Sequence, residues 1–318
     1  MVYIGIDIGG TGVKVGVVNE KGEIINRGEI KTRVGRPYQA IVSDIATCFL
    51  EVLKNSGYAE EDVESIGIGI PGIADEKTGS VVYCPNMNWE NIPLREEIQK
   101  YLNKPTFVDN DATVAGYAES VFGVSAGTHS SVFVTLGTGV GGAIILEGKI
   151  WRGFHGIGSE LGHITMAIGG EPCACGNSGC LERYCSATAL IRMGKQKALQ
   201  HKDSLMWKLC DGDIEQLSAK TVIDAAKELD DAAIDVFNHY VDHLAKAIDV
   251  IIGVIDPEVV ILGGGVSKAG DFLLNAVRER VPRYLQHKDI PHSRVEIAQL
   301  GAQAGIVGAA MLGLQHKI

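Results

Sequence analysis

Gly10-Thr11-Gly12-Val13 and Gly137-Thr138-Gly139-Val140 are two copies of one tetrapeptide, and the second begins 127 residues after the first. Each copy follows a run of alternating apolar residues and precedes a second apolar run that leads into glutamate, glycine and isoleucine. An internal repeat between similar strand patterns is typical of a duplicated structural unit. The sequence therefore predicts two similar α/β domains, each with a strand–turn–strand hairpin, that face each other across an inter-domain cleft.

The residues of the first turn could do more than reverse the chain. Asp7 lies two residues before Gly9-Gly10, and the hydroxyl of Thr11 follows. Such a turn can aim backbone N–H groups and the hydroxyl at phosphate oxygens while the aspartate approaches a metal ion. An ordinary glycine hairpin explains either turn taken alone. The presence of two copies favours the phosphate interpretation.

The second turn also matches a dinucleotide-binding pattern, because residues 137–142 read Gly-Thr-Gly-Val-Gly-Gly. That pattern requires a helix directly after the glycines. Residues 143–146 are instead Ala-Ile-Ile-Leu, which favour a strand, and Glu147-Gly148 follow at once. The sequence therefore predicts a hairpin here and not a dinucleotide fold.

A second informative stretch, residues 159–186, contains three cysteines close together and a histidine upstream of them. Three thiolates and an imidazole make a complete tetrahedral set for Zn²⁺ in a structural role. Gly176 and Gly179 allow a tight loop between the second and third cysteines, because glycine accepts positive φ. Free buried cysteines and a disulfide are the alternatives. The prediction is a metal knuckle, with Cys185 and Glu182 as further candidate members.

Length, charge and cysteine content limit the possible functions. The chain has 318 residues, which suggests about two domains. A net charge of −10 argues against a nucleic-acid-binding surface, which needs a basic face. We expect no signal peptide, because the first residues are strand-like, and no apolar run is long enough to span a bilayer. Seven cysteines without such a signal indicate reduced thiols in the cytoplasm.

An acidic triplet follows one of the predicted strands. Residues 106–108 have a strand pattern and residues 112–121 favour a helix, so Asp109-Asn110-Asp111 lie where a strand ends and a helix begins. Open α/β sheets bind ligands at the carboxyl ends of their strands. Helix capping is the alternative role for Asn110 and Asp111, and it is compatible with catalysis.

Other stretches have clear local patterns. Residues 38–58 and 234–255 have the apolar spacing of amphipathic helices, and residues 301–314 favour a helix of small residues. Residues 84–89 form a loop with two amides and an indole, all capable of contacting a polyol. The strand predicted at residues 259–262 ends in three glycines, where a ligand could lie against bare backbone. A plain tight turn explains these glycines nearly as well.

Together these motifs resemble the ROK family of sugar kinases and repressors, over essentially the whole chain. The matching residues are Asp7 to Thr11 with Lys14, Ile70-Pro71-Gly72, Asn110-Asp111, residues 136–142, Glu160 to His163, residues 173–182 and Gly263 to Gly265. The resemblance implies the actin-like ATPase (ribonuclease H-like) fold, a duplicated two-domain α/β architecture with an inter-domain cleft. We expect a smaller domain of residues 1–113 plus 301–318, and a larger domain of residues 114–300 with the zinc knuckle.

The resemblance also implies roles for individual residues, with Asp111 as the catalytic base. Sugar hydroxyls would be held by Gly72, Asn86, Asn110, Asp111, Glu160, His163 and Glu182. A structural Zn²⁺ would be bound by His163, Cys173, Cys175 and Cys180. ATP and Mg²⁺ would be bound by Asp7, Gly9, Gly10, Thr11, Lys14, Gly137, Thr138, Gly139, Gly264 and Gly265. The phosphates would lie between the two hairpins and the nucleoside against the three glycines.

Within the family, the all-cysteine form followed by Leu181-Glu182 is similar to the glucokinase branch, whereas the fructokinase-like branch has histidine in place of one cysteine. We therefore expect an ATP-dependent kinase that phosphorylates a hexose, above all glucose, in a cytoplasmic homodimer without nucleic-acid or membrane partners. N-acetylmannosamine, allose and mannose are alternative substrates. A sugar-sensing regulator without catalysis and a glycosidase with paired carboxylates are the alternative functions. One departure from the family pattern is Ser159, where members usually carry glycine.

Overall fold

The computed structural model describes residues 1–316 and contains thirteen strands and ten α-helices within them. The strands are β1 (Val2–Ile8), β2 (Gly12–Asn19), β3 (Ile24–Lys31), β4 (Val63–Ile70), β5 (Ile73–Asp75), β6 (Ser80–Cys84), β7 (Trp89–Ile92), β8 (Thr106–Asn110), β9 (Ser130–Leu136), β10 (Val140–Leu146), β11 (Lys149–Ile150), β12 (Val259–Gly263) and β13 (Arg294–Ile297). The helices are α1 (Tyr38–Lys54), α2 (Leu94–Gln99), α3 (Asp111–Val121), α4 (Glu182–Cys185), α5 (Ala187–Gln200), α6 (Leu205–Leu209), α7 (Ala219–Lys227), α8 (Asp231–Ile255), α9 (Asp271–Tyr284) and α10 (Ala304–Met311).

Two five-stranded sheets share one topology. The first has the order β3-β2-β1-β4-β8, with antiparallel pairing among β1, β2 and β3 and parallel pairing from β1 through β4 to β8. The second has the order β11-β10-β9-β12-β13, in which β10 and β11 are antiparallel and β9, β12 and β13 are parallel. The predicted duplication of an α/β fold is therefore confirmed. A small antiparallel sheet, β5-β6-β7, lies between β4 and β8 in the chain.

The glycine turns join strand to strand in both sheets. The segment after Gly9-Gly10 continues as β2, and the segment after Gly137-Thr138-Gly139 continues as β10. No helix follows the glycines of the second turn, so the predicted hairpin is confirmed against the dinucleotide-binding alternative.

The chain divides into two compact units. The first contains residues 1–129, 143–159 and 299–316, and the second contains residues 130–142 and 160–298. These bounds differ from the predicted domains, residues 1–113 plus 301–318 and residues 114–300. Compactness and duplication are separate criteria, because the division into units falls inside β10 although the whole strand belongs to the repeated sheet. The predicted domain boundaries stay a prediction.

In the first unit, helix α10 lies unusually close to the sheet and to α3. A Cβ atom placed on Gly67 of β4 would lie 1.7 Å from the carbonyl oxygen of Ala309, and one on Gly5 of β1 would lie 2.0 Å from that of Ile306. Gly308 makes the equivalent contact with α3, since its Cβ would lie 1.7 Å from the carbonyl oxygen of Val114. The small residues expected in this segment therefore allow backbone-to-backbone packing.

The predicted helices are present, with some shifted ends. Helix α1 stops at Lys54 instead of reaching Tyr58, because Asn55 caps it and Gly57 has a φ of +83°. Helix α8 extends to Ile255 and stops where Asp256 takes a φ of +48° before Pro257. The apolar face of α8 is buried, as its spacing predicted. The last predicted helix is α only over Ala304–Met311, with 3₁₀ turns on either side.

Two global expectations concern cysteines and membranes. All seven cysteines of the chain are free thiols in the structure, so the disulfide alternative is wrong. Among residues 1–316, no helix combines the length and the apolar character needed to cross a membrane.

Two glycine substitutions should have opposite effects on stability, because Gly308 packs against backbone and Gly253 does not. In Gly308→Ala the new methyl group collides with the α3 backbone, which should lower the free energy of unfolding by about 1–3 kcal/mol. Gly253 lies exposed within α8 and has no atom within 4 Å of the position that a Cβ would occupy, so Gly253→Ala should raise stability by up to about 1 kcal/mol.

Thermal unfolding followed by circular dichroism checks both variants under the same conditions. A melting temperature for Gly308→Ala at or above that of the wild type would contradict the packing described for α10.

Candidate functional site

The β8–α3 junction holds the predicted catalytic residue. Asn110 is the N-cap of α3: its Oδ1 accepts from the backbone N–H groups of Ala112 at 2.9 Å and Thr113 at 3.1 Å. Its Nδ2 donates to the carbonyl of Gly72 at 3.1 Å. Asp111 is the first helical residue, and its Oδ1 accepts from Ala112 N–H at 2.8 Å. The capping role considered for both residues therefore belongs to Asn110, and the carboxylate of Asp111 stands at the helix N-terminus.

An ion pair that the sequence did not predict lies directly behind this junction. Asp109 is 6% exposed, and its Oδ2 accepts from Arg152 Nε at 2.7 Å. Burial raises the pKa of Asp109, and the Arg152 guanidinium opposes that shift. Arg152 also contacts Glu76, with 3.2 Å between Nη1 and Oε2. A lone arginine in a glycine-rich loop, 43 residues from its partner, has no sequence signal for this pairing.

The predicted polyol loop is a 3₁₀ turn, Pro85–Met87, between β6 and β7. Asn86 is exposed in this turn. Its Cβ lies 3.8 Å from the position that a Cβ on Gly10 would occupy. The first unit therefore brings the side chain of Asn86 next to the first glycine turn.

The first glycine turn combines the half-buried carboxylate of Asp7 with an exposed backbone at Thr11. Gly9 N–H donates to the carbonyl of Gly12 at 2.9 Å, and Thr11 is exposed. The Asp7 carboxylate lies against Gly305 of α10, where a Cβ would be 2.6 Å from its Oδ2. Burial raises the pKa of Asp7, and Lys14, whose Nζ lies 3.9 Å from Asp7 Oδ2, opposes that shift.

The second glycine turn is bound to Glu182. Gly137 N–H donates to the carbonyl of Gly139 at 3.0 Å, and Glu182 Oε2 accepts from Val140 N–H at 3.1 Å. A Cβ on Gly139 would lie 2.3 Å from that oxygen, so a side chain at this position would displace the Glu182 carboxylate. The carbonyl of Thr138 accepts from the hydroxyl of Thr188 at 2.7 Å. Glu182, predicted as a sugar ligand, therefore also fixes the shape of this turn.

Gly264 and Gly265, which follow β12, are glycines for different reasons. Gly264 has a φ of +84°, and a Cβ there would lie 2.7 Å from the backbone of Leu136. Its glycine is therefore required by packing against the end of β9. Gly265 has no atom within 4 Å of a Cβ position, so its backbone is open on that side.

The predicted metal ligands lie together in the second unit. The donor atoms of His163, Cys173, Cys175 and Cys180 all lie within 4.8 Å of one another. Cys173 Sγ is 3.7 Å from His163 Nδ1, and Cys175 Sγ is 3.6 Å from Cys180 Sγ. Two sulfurs bound at ~2.3 Å to a tetrahedral Zn²⁺ would be about 3.8 Å apart. The cluster therefore fits a zinc ion in both donor chemistry and spacing.

The loop that carries the cluster folds as its glycines predicted. Gly176 has a φ of +90° and Gly179 one of +73°. Burial, with help from the neighbouring thiols, raises the pKa of Cys180 to about 12, so its thiolate form needs a nearby cation.

The prediction that Cys185 and Glu182 are further members of the metal knuckle is wrong. Cys185 is fully buried away from the cluster, with its Sγ 3.7 Å from the carbonyl of Tyr240. Glu182 does not belong to the four-residue donor set, and its carboxylate is directed to Val140 instead.

The segment before His163 has two tight positions. Gly162 is required because a Cβ would lie 2.0 Å from the carbonyl of Val140. Ser159 has a φ of +75°, the region that favours glycine, and its hydroxyl donates to the carbonyl of Trp151 at 3.2 Å. The serine thus adopts a backbone conformation that glycine reaches more readily. Glu160, a predicted sugar ligand, is exposed between these two positions.

Comparison with known proteins finds a family that matches almost the whole chain and glucokinases that are similar to it. The model of the ROK family matches residues 3–316. A glucokinase from Halalkalibacterium halodurans is 35% identical over 317 residues, with 99% of this chain and 96% of the relative covered. A glucokinase from Thermotoga maritima is 38% identical over 310 residues, with 97% of this chain and 96% of the relative covered.

A solved structure has the same fold along almost its whole length. The ROK family glucokinase from Streptomyces griseus, determined in complex with glucose and AMPPNP, has a TM-score of 0.85 and 35% identity, with 98% of this chain and 99% of that chain covered. The repeated sheets, the glycine turns and the Cys₃His cluster thus occur in a chain that matches one family from end to end, and this protein belongs to the ROK family.

Proposed function

We propose that this protein is an ATP-dependent hexose kinase whose preferred substrate is glucose. The observation that carries the proposal is the carboxylate of Asp111, held at the first residue of α3 beside the Asn110 cap, at the carboxyl end of a parallel strand. The likeness to glucokinases along the whole chain supports glucose as the sugar, and the AMPPNP complex of the Streptomyces griseus enzyme supports ATP as the phosphoryl donor.

Asp111 is the general base in this proposal. A sugar hydroxyl is a poor nucleophile at neutral pH, so a carboxylate within hydrogen-bond reach must accept its proton as the phosphoryl group moves. The N-terminus of an 11-residue helix is a favourable place for a negatively charged carboxylate. Asn110, fixed by its cap bonds and by Gly72, fixes the backbone from which that carboxylate projects.

We assign sugar binding to two groups of residues. One group is Gly72, Asn86, Asn110 and Asp111, and the other is Glu160, His163 and Glu182. His163 can serve both the metal and the sugar, because Nδ1 is the ring nitrogen that faces Cys173. Its Nε2 is then available in this assignment to a sugar hydroxyl.

We assign the nucleotide to the glycine turns and to Gly264-Gly265. Each turn can present backbone N–H groups to phosphate oxygens, and Thr11 and Thr138 add polar side chains. Asp7 and Lys14 complete the phosphate site, with Asp7 the residue that would hold Mg²⁺. That ion would supply neutralisation of phosphate charge during transfer.

The proposal also includes a cytoplasmic setting and a homodimer. Seven free thiols are compatible with a reducing compartment. The homodimer rests on the family resemblance alone, and light scattering coupled to size-exclusion chromatography measures it directly.

An ADP-release assay over a panel of sugars tests the function. Glucose should give the highest kcat/KM, with N-acetylmannosamine, allose and mannose as the competing substrates. Release of ADP should require the sugar and should yield one sugar phosphate per ADP. Binding of a sugar without any turnover would support a regulator instead, and a different best sugar would change the assigned substrate but not the reaction.

Asp111→Asn separates the base from a structural role. The amide keeps the size of the side chain but cannot accept the proton, so kcat should fall by about 10²–10⁴-fold, while zinc is retained and the affinity for sugar falls only modestly. Asp231 is a matched control, since it is also the acidic first residue of a helix. It follows the N-cap residue Asp230, as Asp111 follows Asn110.

Asp231→Asn should leave kcat unchanged. If Asp111→Asn turned over within a few-fold of the wild type, Asp111 could not be the base.

The metal knuckle gives a separate prediction. Purified protein should contain about one zinc per chain, and Cys175→Ser should lose most of it. Loss of the metal should displace Glu160 and Glu182 and raise the KM for the sugar by about 10–100-fold. Cys210→Ala is the control, because Cys210 is a buried cysteine of the same unit outside the cluster.

Elemental analysis and sugar titrations measure both effects. A zinc-free wild-type protein with activity that strong chelators do not affect would refute the structural metal.

A further inference from the structure

Arg152 makes a close and buried set of contacts behind the proposed base. Its Nε and Nη2 lie 2.7 Å and 2.6 Å from Asp109 Oδ2, and its Nη1 lies 3.2 Å from Glu76 Oε2. The side chains of Arg152 and Asp109 are 16% and 8% exposed. A carboxylate this buried stays ionised and in place only when a well-oriented cation pairs with it.

The paired carboxylate in turn fixes the backbone that leads to Asp111. Asp109 Oδ1 accepts from Asn110 N–H at 2.8 Å, while Oδ2 is held by the guanidinium. Asn110 then caps α3 and reaches Gly72 through its own side chain. A continuous chain of contacts thus runs from Arg152 through Asp109 and Asn110 to the residue that begins the helix.

We infer that Arg152 is a positioning residue for the phosphoryl transfer: it holds Asp109, and through it the β8–α3 junction, in the geometry that aims the Asp111 carboxylate. The inference rests on the proposed kinase function. Arg152 contacts neither reacting group in this scheme. It acts on kcat because a base must stay within hydrogen-bond reach of the hydroxyl, and a displacement of about 1 Å can cost on the order of 10²-fold in rate.

A second arginine in the same unit provides a matched control. Arg95 donates to the carbonyls of Thr106, Lys77 and Glu76, each at 2.7 Å. It thus ties the turn after β5 to the same strand, β8, as Arg152 does. None of these three acceptors belongs to the acidic triplet, residues 109–111. Loss of Arg95 should therefore reduce stability without moving the base.

The experiment compares Arg152→Met, Arg152→Lys and Arg95→Met in the full-length protein. Each variant is assayed with glucose and ATP at a temperature well below the melting temperature of that variant. Arg152→Met should lower kcat on the order of 10²-fold and leave the KM for ATP within about twofold. Arg152→Lys keeps the charge but loses the two-nitrogen contact with Asp109, so its kcat should fall between those of Arg152→Met and the wild type. Arg95→Met should lose thermal stability and keep its kcat.

The outcomes separate a positioning role from a structural one. Equal losses of kcat in Arg152→Met and Arg95→Met, or a kcat of Arg152→Met near that of the wild type, would overturn the inference. If Arg152→Met does not fold, Arg152→Lys decides: a wild-type kcat in that folded variant overturns the inference, and a reduced kcat with unchanged zinc content supports it. A wild-type protein without sugar kinase activity would refute the proposed function as well, whereas an active wild type isolates the test of Arg152.

Discussion

The candidate site depends on parallel strand pairing, which brings the carboxyl ends of β1, β4 and β8 to one edge of the first sheet. Asp7 pairs in register with Gly69, and Ile70 pairs with Asn110. The polar residues that follow these strands are therefore neighbours without any need for sequence proximity. The second sheet repeats the arrangement, since β9 and β12 are parallel and Gly264 packs on the backbone of Leu136. Duplication of one sheet thus provides two edges of the same kind.

Much of this arrangement could be predicted from the sequence, because constraints on the backbone determine which residues occur at particular positions. Repeated glycine turns between apolar runs predicted hairpins, and the sheets have them. Gly162, Gly179 and Gly264 are glycines for reasons that the structure makes explicit, since a side chain would meet backbone atoms at each. The three cysteines and His163 were predicted as one donor set because Zn²⁺ demands that chemistry, and their donor atoms do converge.

Contacts of side chains with residues far away in the sequence could not be predicted in this way. Arg152 pairs with Asp109 across 43 residues, and Glu182 binds Val140 N–H across 42 residues. Neither contact follows from spacing or from a motif, because each depends on how loops pack. Cys185 is the opposite case: it is near the cluster in sequence, but the short helix α4 directs its thiol into the core beside Tyr240. Proximity in the sequence was therefore a poor guide to metal binding, because the helix determines where the side chain of Cys185 points.

The contact of Glu182 links the Cys₃His cluster to the second glycine turn. Glu182 follows Cys180 by two residues and is the first residue of α4. Its carboxylate accepts from Val140 N–H and lies against Gly139, at the second glycine turn. Whatever fixes Cys180 therefore fixes a carboxylate that shapes the turn. Glycine turns are flexible by composition, because glycine restricts the backbone least. A metal bound by these four residues would thus restrain a flexible turn about 40 residues earlier in the chain, through a single hydrogen bond.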